Sequence, residues 1–123
     1  MKILVVDDSK AMRMIVKRNL GQVPGFSDIE TFEAGSGTEA LALIHAGLTP
    51  DLILSDWNMP EMTGIELLKA LKAEGSTIPL GFVTSETQPE MREQGIANGA
   101  KFLLAKPFTA DDFAEILSSV VGA

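Results

Sequence analysis

Three carboxylates, one hydroxyl and one ammonium stand directly behind short apolar runs of this chain. Asp7 and Asp8 follow Ile3-Leu4-Val5-Val6, Asp56 follows Leu52-Ile53-Leu54-Ser55, Thr84 follows Phe82-Val83, and Lys106 follows Phe102-Leu103-Leu104-Ala105. Any one of them alone reads as a polar strand end, a loop cap or a solvated charge. Brought together, they describe a chemistry. Carboxylates ~5 Å apart at an effective dielectric near ~20 repel by roughly 3 kcal/mol per pair, so a cluster of three calls for a cation. Carboxylate, carbonyl and water oxygens suit a hard ion, and Mg²⁺ takes only a few carboxylates while keeping several waters. A lysine supplies a mobile positive charge for phosphate, and a threonine hydroxyl can donate to an oxygen. This set suits phosphoryl transfer onto Asp56 as an aspartyl phosphate.

What can bring these residues together is a sheet whose strands all point one way. Leu52, Ile53 and Leu54 form a continuous apolar run between Pro50 and Met59-Pro60, as expected of a central strand covered on both faces. The run over 3–6 reads the same way. Residues 29–34 alternate polar and apolar, which suits a strand nearer the sheet edge. Residues 78–83 form a fourth strand ending at Thr84-Ser85, and residues 102–105 a fifth.

Helical patterns separate the strands. Ser9 can cap a helix to about Leu20, with Met12, Ile15, Val16 and Leu20 on one face, ended by Gly21, Pro24 and Gly25. Ser36 with Glu39 opens a second helix to about Ala46, its inner face formed by Leu41, Ile44 and Leu48. Thr63 with Glu66 opens a third, with Leu67, Leu68 and Leu71 inward. Thr87 with Glu90, and Pro89 in the first turn, open a fourth that stops near Asn98-Gly99. Thr109 with Asp112 opens the last, carrying Phe113, Ile116, Leu117, Val120 and Val121. Five alternations of strand and helix predict one doubly wound α/β domain over residues 1–123, with a five-stranded parallel sheet and five helices. Strand order does not follow from the alternation. In such a sheet the carboxyl ends of the strands converge on one crevice, and all five polar side chains stand at those ends.

Composition narrows the partners. A net charge of −7 and a pI near 4.6 argue against nucleic acid or an anionic membrane. The absence of cysteine excludes disulfides, thiol catalysis and cysteine zinc sites, and the single histidine, His45, excludes multi-histidine metal sites. His45 is expected as surface or half-buried packing. No segment approaches the ~18–20 apolar residues of a membrane span. The apolar run at the start stops at Asp7-Asp8, short of the ~7–15 of a signal peptide, so the chain is expected in the cytoplasm.

Four pieces, in order and correctly spaced, carry a resemblance over the whole chain. They are Val5-Val6-Asp7-Asp8-Ser9; Ser55-Asp56-Trp57-Asn58-Met59-Pro60 with Gly64; Val83-Thr84-Ser85; and Gly99-Ala100 through Lys106-Pro107-Phe108. Together they resemble the receiver domains of two-component response regulators. The Asp-Trp-Asn-Met-Pro loop, Ile65-Glu66-Leu67-Leu68-Lys69 and Lys106-Pro107-Phe108-Thr109-Ala110 most resemble the stand-alone chemotaxis regulators within that family.

The resemblance implies a 2-1-3-4-5 strand order and Asp56 as phosphoacceptor. It implies that Asp8, Asp56 and the Asn58 backbone carbonyl bind Mg²⁺ directly, with Asp7 acting mainly through water. Thr84 and Lys106 would hold the phosphoryl oxygens, and the Lys106-Pro107 bond would be cis. Asn58 and Glu86 would control dephosphorylation. The implied partners are a histidine kinase as phosphodonor, a flagellar motor switch protein and a phosphatase, with the chain itself a monomer. Its catalysis would be of its own phosphorylation and dephosphorylation, not of metabolic turnover.

One position departs from the family. The aromatic expected three residues before the lysine is Leu103 here, and the aromatic, Phe102, stands one place earlier. One residue along a strand changes the face, so Phe102 is expected in the core. The switch then rests on Thr84 and Leu103. Trp57 is expected partly exposed over the site. Two other functions compete with a signalling switch. One is a phosphorelay intermediate or phosphate sink without its own target. The other is a haloacid-dehalogenase-type phosphohydrolase, which wants Asp-x-Asp after the first strand, where this chain has adjacent Asp7-Asp8.

Overall fold

The structure, a computed structural model, describes residues 1–23, 28–59, 61–85, 88–106 and 108–121. Its elements alternate as β1 (Lys2–Val6), α1 (Lys10–Leu20), β2 (Glu30–Ala34), α2 (Gly37–His45), β3 (Leu52–Ser55), α3 (Gly64–Ala73), β4 (Leu80–Thr84), α4 (Pro89–Ala97), β5 (Leu103–Ala105) and α5 (Ala110–Val121). All four strand pairings are parallel, in the order β2-β1-β3-β4-β5. The doubly wound sheet and its 2-1-3-4-5 order are therefore as expected, with the alternating segment at one edge.

The period of two along the strands sorts the core into two layers. Leu4, Val6, Ile53, Leu80, Phe82 and Leu103 face α2, α3 and α4, meeting Ala40, Leu67, Leu68 and Leu71. Ile3, Val5, Leu52, Leu54 and Val83 face α1 and α5, meeting Val16, Leu20, Phe113 and Leu117. Each inner strand is thus apolar on both faces, which is why its run is continuous. Leu41, Ile44 and Leu48 are half-buried against the first layer.

The starts of α1, α2, α3 and α5 follow the capping chemistry, whereas α4 starts at Pro89 with Gln88 as its N-cap and no side-chain cap bond, not on the expected Thr87–Glu90 pair. Ser9 and Ser36 accept the backbone N–H of Met12 and Glu39, Thr63 and Glu66 form a reciprocal box, and Thr109 and Asp112 exchange the same pair of bonds. Several expectations need correction. Ile15 is 42% exposed, because the inward stripe of α1 narrows to Val16 and Leu20. β4 begins at Leu80 instead of residue 78: the Pro79 carbonyl still accepts from Ile53 N–H, but proline has no N–H to continue the ladder. β5 begins at Leu103 instead of 102, although Phe82 N–H already donates to the Phe102 carbonyl. The expectations for Pro24, Gly25, Pro60, Glu86, Thr87, Pro107 and the side chains of Val120 and Val121 lie outside the described residues.

Candidate functional site

The carboxyl ends of β1, β3, β4 and β5 lie side by side in the sheet order, and they present the five side chains singled out above. Asp7 is 4% exposed and tied down on every side. Its N–H donates to the Ala34 carbonyl at 3.1 Å, continuing the β1–β2 ladder one step. Its Oδ1 accepts from Ser9 N–H at 2.9 Å, turning the chain into α1, and its Oδ2 accepts from Lys106 Nζ at 3.2 Å. Asp7 therefore does act at the helix start, while pairing with the lysine across the sheet. Asp8, one residue on, is exposed.

Asp56 leaves β3 with its N–H on the Val6 carbonyl at 2.9 Å. Its Oδ1 accepts from Trp57 N–H at 2.7 Å, and its Oδ2 is 3.6 Å from Lys106 Nζ. Burial pushes the Asp56 carboxyl above the ordinary carboxylate range; Lys106 opposes this, while the charges of Asp7 and Asp8 add to it. Oxygens of Asp7, Asp8 and Asp56 lie within 4.8 Å of one another. All three donors are hard carboxylate oxygens, and the strained ionisation of Asp56 is what a cation would relieve. The residues present fit a divalent ion such as Mg²⁺.

Lys106 is carried to this point because its N–H donates to the Thr84 carbonyl at 2.9 Å, the rung just past β5. Its side chain is 15% exposed. Thr84, 1% exposed, ends β4 beside Asp56's strand. Asn58 is exposed. Gly64 closes the floor: a β-carbon there would lie 2.3 Å from the Asp56 carbonyl oxygen and 2.6 Å from Phe82 Cε1. Only glycine lets the start of α3 approach the phosphoacceptor candidate so closely, with Gly64 N–H bonded to the Trp57 carbonyl at 2.8 Å.

Trp57 corrects an expectation. It is 8% exposed, not open over the site, and its ring packs at 4.8 Å from that of Phe82. Gly95 of α4 lies against both rings, where a β-carbon would come to ordinary contact at 3.4 Å. The alternation beyond Asp56 explains the burial: Trp57 N–H holds the carboxylate while its ring turns into the layer beneath α4. Phe102 and Leu103 face opposite layers, as the strand period requires. The Phe102 ring lies over Gly81, where a β-carbon would come within 2.1 Å of Cζ. Leu103 is 7% exposed in the layer of Phe82 and Trp57, and its carbonyl accepts from Arg92 Nη2 at 3.3 Å. His45 is exposed and pairs with Glu74 at 2.9 Å, away from the cluster's elements.

One group near the site escaped the sequence reading. Arg13 of α1 donates from Nη1 to the Asp7 carbonyl and from Nε to Glu33 Oε1 at 3.0 Å. Lys17 donates to the other Glu33 oxygen at 3.0 Å, and these bonds hold the Glu33 carboxyl below its ordinary range. A basic residue one turn into α1 and an acid on the edge strand carry no local signal, because the pair is formed by the β1–β2 register.

Comparison with known proteins agrees with this geometry. The family described as response regulator receiver domain matches residues 3–118. The chemotaxis protein CheY of Pseudomonas aeruginosa is 40% identical over 122 residues, covering 98% of this chain and 95% of that protein. CheY1 of Helicobacter pylori is 36% identical over 124 residues, covering 99% and 98%. Among solved structures, Vibrio cholerae chemotaxis protein CheY4 superposes with a TM-score of 0.85 at 37% identity, over 97% of both chains. The receiver domain of a Francisella response regulator gives 0.85 at 32% identity, over 97% of this chain and 94% of that one. A parallel 2-1-3-4-5 sheet with this acidic cluster and lysine at its carboxyl edge, matched along nearly its whole length, belongs to the response regulator receiver domains and is CheY-like among them.

Proposed function

We propose that this chain is a response regulator of the chemotaxis type. Asp56 accepts a phosphoryl group from a histidine-kinase phosphodonor in a Mg²⁺-dependent step, and the phosphorylated form signals by binding a protein target in the cytoplasm. The observation that carries the reading is the Asp7, Asp8 and Asp56 cluster with Lys106 set across it, 3.2 Å from Asp7 and 3.6 Å from Asp56. Asp8, Asp56 and the Asn58 backbone carbonyl would hold the ion, with Asp7 acting through water. Bound there, Mg²⁺ offsets the carboxylates and the negative oxygens of an arriving phosphoryl group.

The remaining work falls to side chains. An Asp56 carboxylate oxygen attacks phosphorus, the phosphorus–nitrogen bond of the phosphohistidine breaks, and its electron pair leaves on the ring nitrogen. A proton on the other ring nitrogen lets the imidazole depart neutral. Trp57 N–H keeps the Asp56 carboxylate from rotating as it attacks. Lys106, already within 3.6 Å of that carboxylate, and Thr84 at the end of the neighbouring strand answer the phosphoryl oxygens. A phosphoryl group adds ≈ −1.5 to −2 of charge, so drawing Thr84 and Lys106 inward biases α4, β5 and α5 toward a second arrangement that a partner such as a flagellar motor switch protein prefers. Leu103, in the layer between β5 and α4, fills whatever space the movement opens.

Asn58, which is exposed, and Glu86 govern how water reaches the acyl phosphate, so bulkier or apolar replacements change its decay without abolishing its formation. The reading is tested by intact-mass measurement after incubation with acetyl phosphate and Mg²⁺. Wild type gains one phosphoryl group and Asp56→Asn gains none; equal labelling of both proteins overturns it.

A further inference from the structure

Arg13 lies in the described network at Asp7, but no role in the chemistry requires it, and its geometry shows why it is there. β2 ends at Ala34, whose carbonyl takes the Asp7 N–H. A continuing parallel ladder would return a backbone N–H from β2 to the Asp7 carbonyl. The register makes that donor Ser36 N–H, but Ser36 turns away as the N-cap of α2, and among the described residues no backbone N–H reaches the Asp7 carbonyl. The Arg13 guanidinium takes the vacant place: Nη1 donates to the Asp7 carbonyl while Nε is held by Glu33 of β2, itself held by Lys17. Glu33 stands opposite Val5 in the sheet register, so the guanidinium is anchored to the strand whose ladder it completes. Its side chain is only 16% exposed.

We infer that Arg13 is a positioning residue that fixes the Asp7–Asp8 peptide, and through it the direction in which exposed Asp8 presents its carboxylate to a divalent cation. The inference rests on the reading of the acidic cluster as a cation site. Glu33 has a second effect, since its carboxylate offsets the guanidinium charge that would otherwise oppose a cation. Arginine suits the task because its planar fork bonds two acceptors at fixed angles, which a lysine cannot do.

Charge and geometry predict opposite signs, and that decides the test. Removing a positive charge beside a cation site strengthens cation binding by electrostatics alone. Loss of an orienting partner weakens it, by roughly 10-fold for outer-shell groups. Mg²⁺ is titrated into wild type, Arg13→Met, Arg13→Lys and Asp8→Ala while the amide resonances of Asp8, Ser9 and Trp57 are followed. Arg13→Met is expected to bind Mg²⁺ roughly 10-fold more weakly, and Arg13→Lys to be weakened despite keeping its charge.

In the metal-free proteins the Asp7 carbonyl-carbon shift should move in both Arg13 variants, and the Trp57 amide should stay near its wild-type position. Mg²⁺ affinity in Arg13→Met equal to or tighter than wild type overturns the inference. If Arg13→Met does not fold, the lysine variant decides by the same criterion. Wild type that shows no Mg²⁺ response refutes the cation reading instead. What is then left, that Arg13 fixes the Asp7–Asp8 peptide, is decided by the metal-free Asp7 shift, and an unmoved shift overturns it.

Discussion

Lys106 sits closer to Asp7 than to Asp56, at 3.2 Å against 3.6 Å between its Nζ and the respective Oδ2 atoms. One ammonium is therefore shared between two carboxylates, and the more nearly buried one holds it tighter. Asp56 is left under-compensated. That is consistent with its carboxyl being pushed upward first by burial, against the pull of Lys106.

The sign of that shift makes a stability prediction. An acid whose folded-state pKa is raised is favourable to folding while protonated, and loses that advantage as pH rises through the folded value. At neutral pH, ionised Asp56 therefore strains the fold, and Asp56→Asn should raise the melting temperature by a few degrees. The gain should shrink as pH falls toward the ordinary carboxylate range. A melting series from neutral to acidic pH checks this; a gain that grew on acidification would contradict it.

Mg²⁺ should relieve the same strain. A ligand that binds only the folded state stabilises it by about 2.7 kcal/mol at one hundred times its dissociation constant. Wild type should melt higher with added Mg²⁺. Asp8→Ala should respond far less, having lost an exposed, directly presented carboxylate. Asp7→Ala should keep more of the response, because Asp7 faces Ser9 and Lys106. Calorimetric scans with Mg²⁺, and with Ca²⁺ as a size control, read this directly.

Gly64 should tolerate no side chain. A β-carbon 2.3 Å from the Asp56 carbonyl oxygen and 2.6 Å from Phe82 must displace backbone or a buried ring. Gly64→Ala is expected to cost roughly 1–3 kcal/mol, and to impair phosphorylation of whatever fraction remains folded. Urea denaturation gives the first quantity and labelling by acetyl phosphate the second.

Leu103→Tyr should separate phosphorylation from switching. Leu103 belongs to the layer beneath α4, whereas Asp56 is reached through β3 and Trp57. The variant should take up phosphate at nearly the wild-type rate, yet change the amide shifts that beryllofluoride, a phosphoryl mimic, induces across residues 88–106. Mimic-induced shifts confined to the neighbours of Asp56 in both proteins would mean that the chain holds phosphate without switching.

These contrasts also mark what could be read from residue types and spacing. Apolar runs ending on Asp7, Asp56, Thr84 and Lys106 announce strands and their carboxyl ends, because a buried strand must be apolar throughout and must stop where polarity begins. The opposite faces of Phe102 and Leu103 follow from a period of two. Ile15 lies exposed because helical spacing alone does not set how wide the inward stripe is. The burial of Trp57 has no local signal because it comes from packing against Phe82 of β4 and against Gly95 of α4, 38 positions later. Arg13 was invisible because the missing ladder donor it replaces exists only once β1 and β2 are in register.

The central claim is that Asp56 carries the phosphoryl group and that the acidic cluster makes the reaction depend on a divalent ion. Borohydride reduces an acyl phosphate to an alcohol, converting the labelled aspartate to homoserine, which peptide mass spectrometry can place. After acetyl phosphate and Mg²⁺, the account predicts homoserine at position 56 alone, and none when a chelator replaces the metal. Homoserine at position 7 or 8, or undiminished conversion at 56 under chelation, would contradict it.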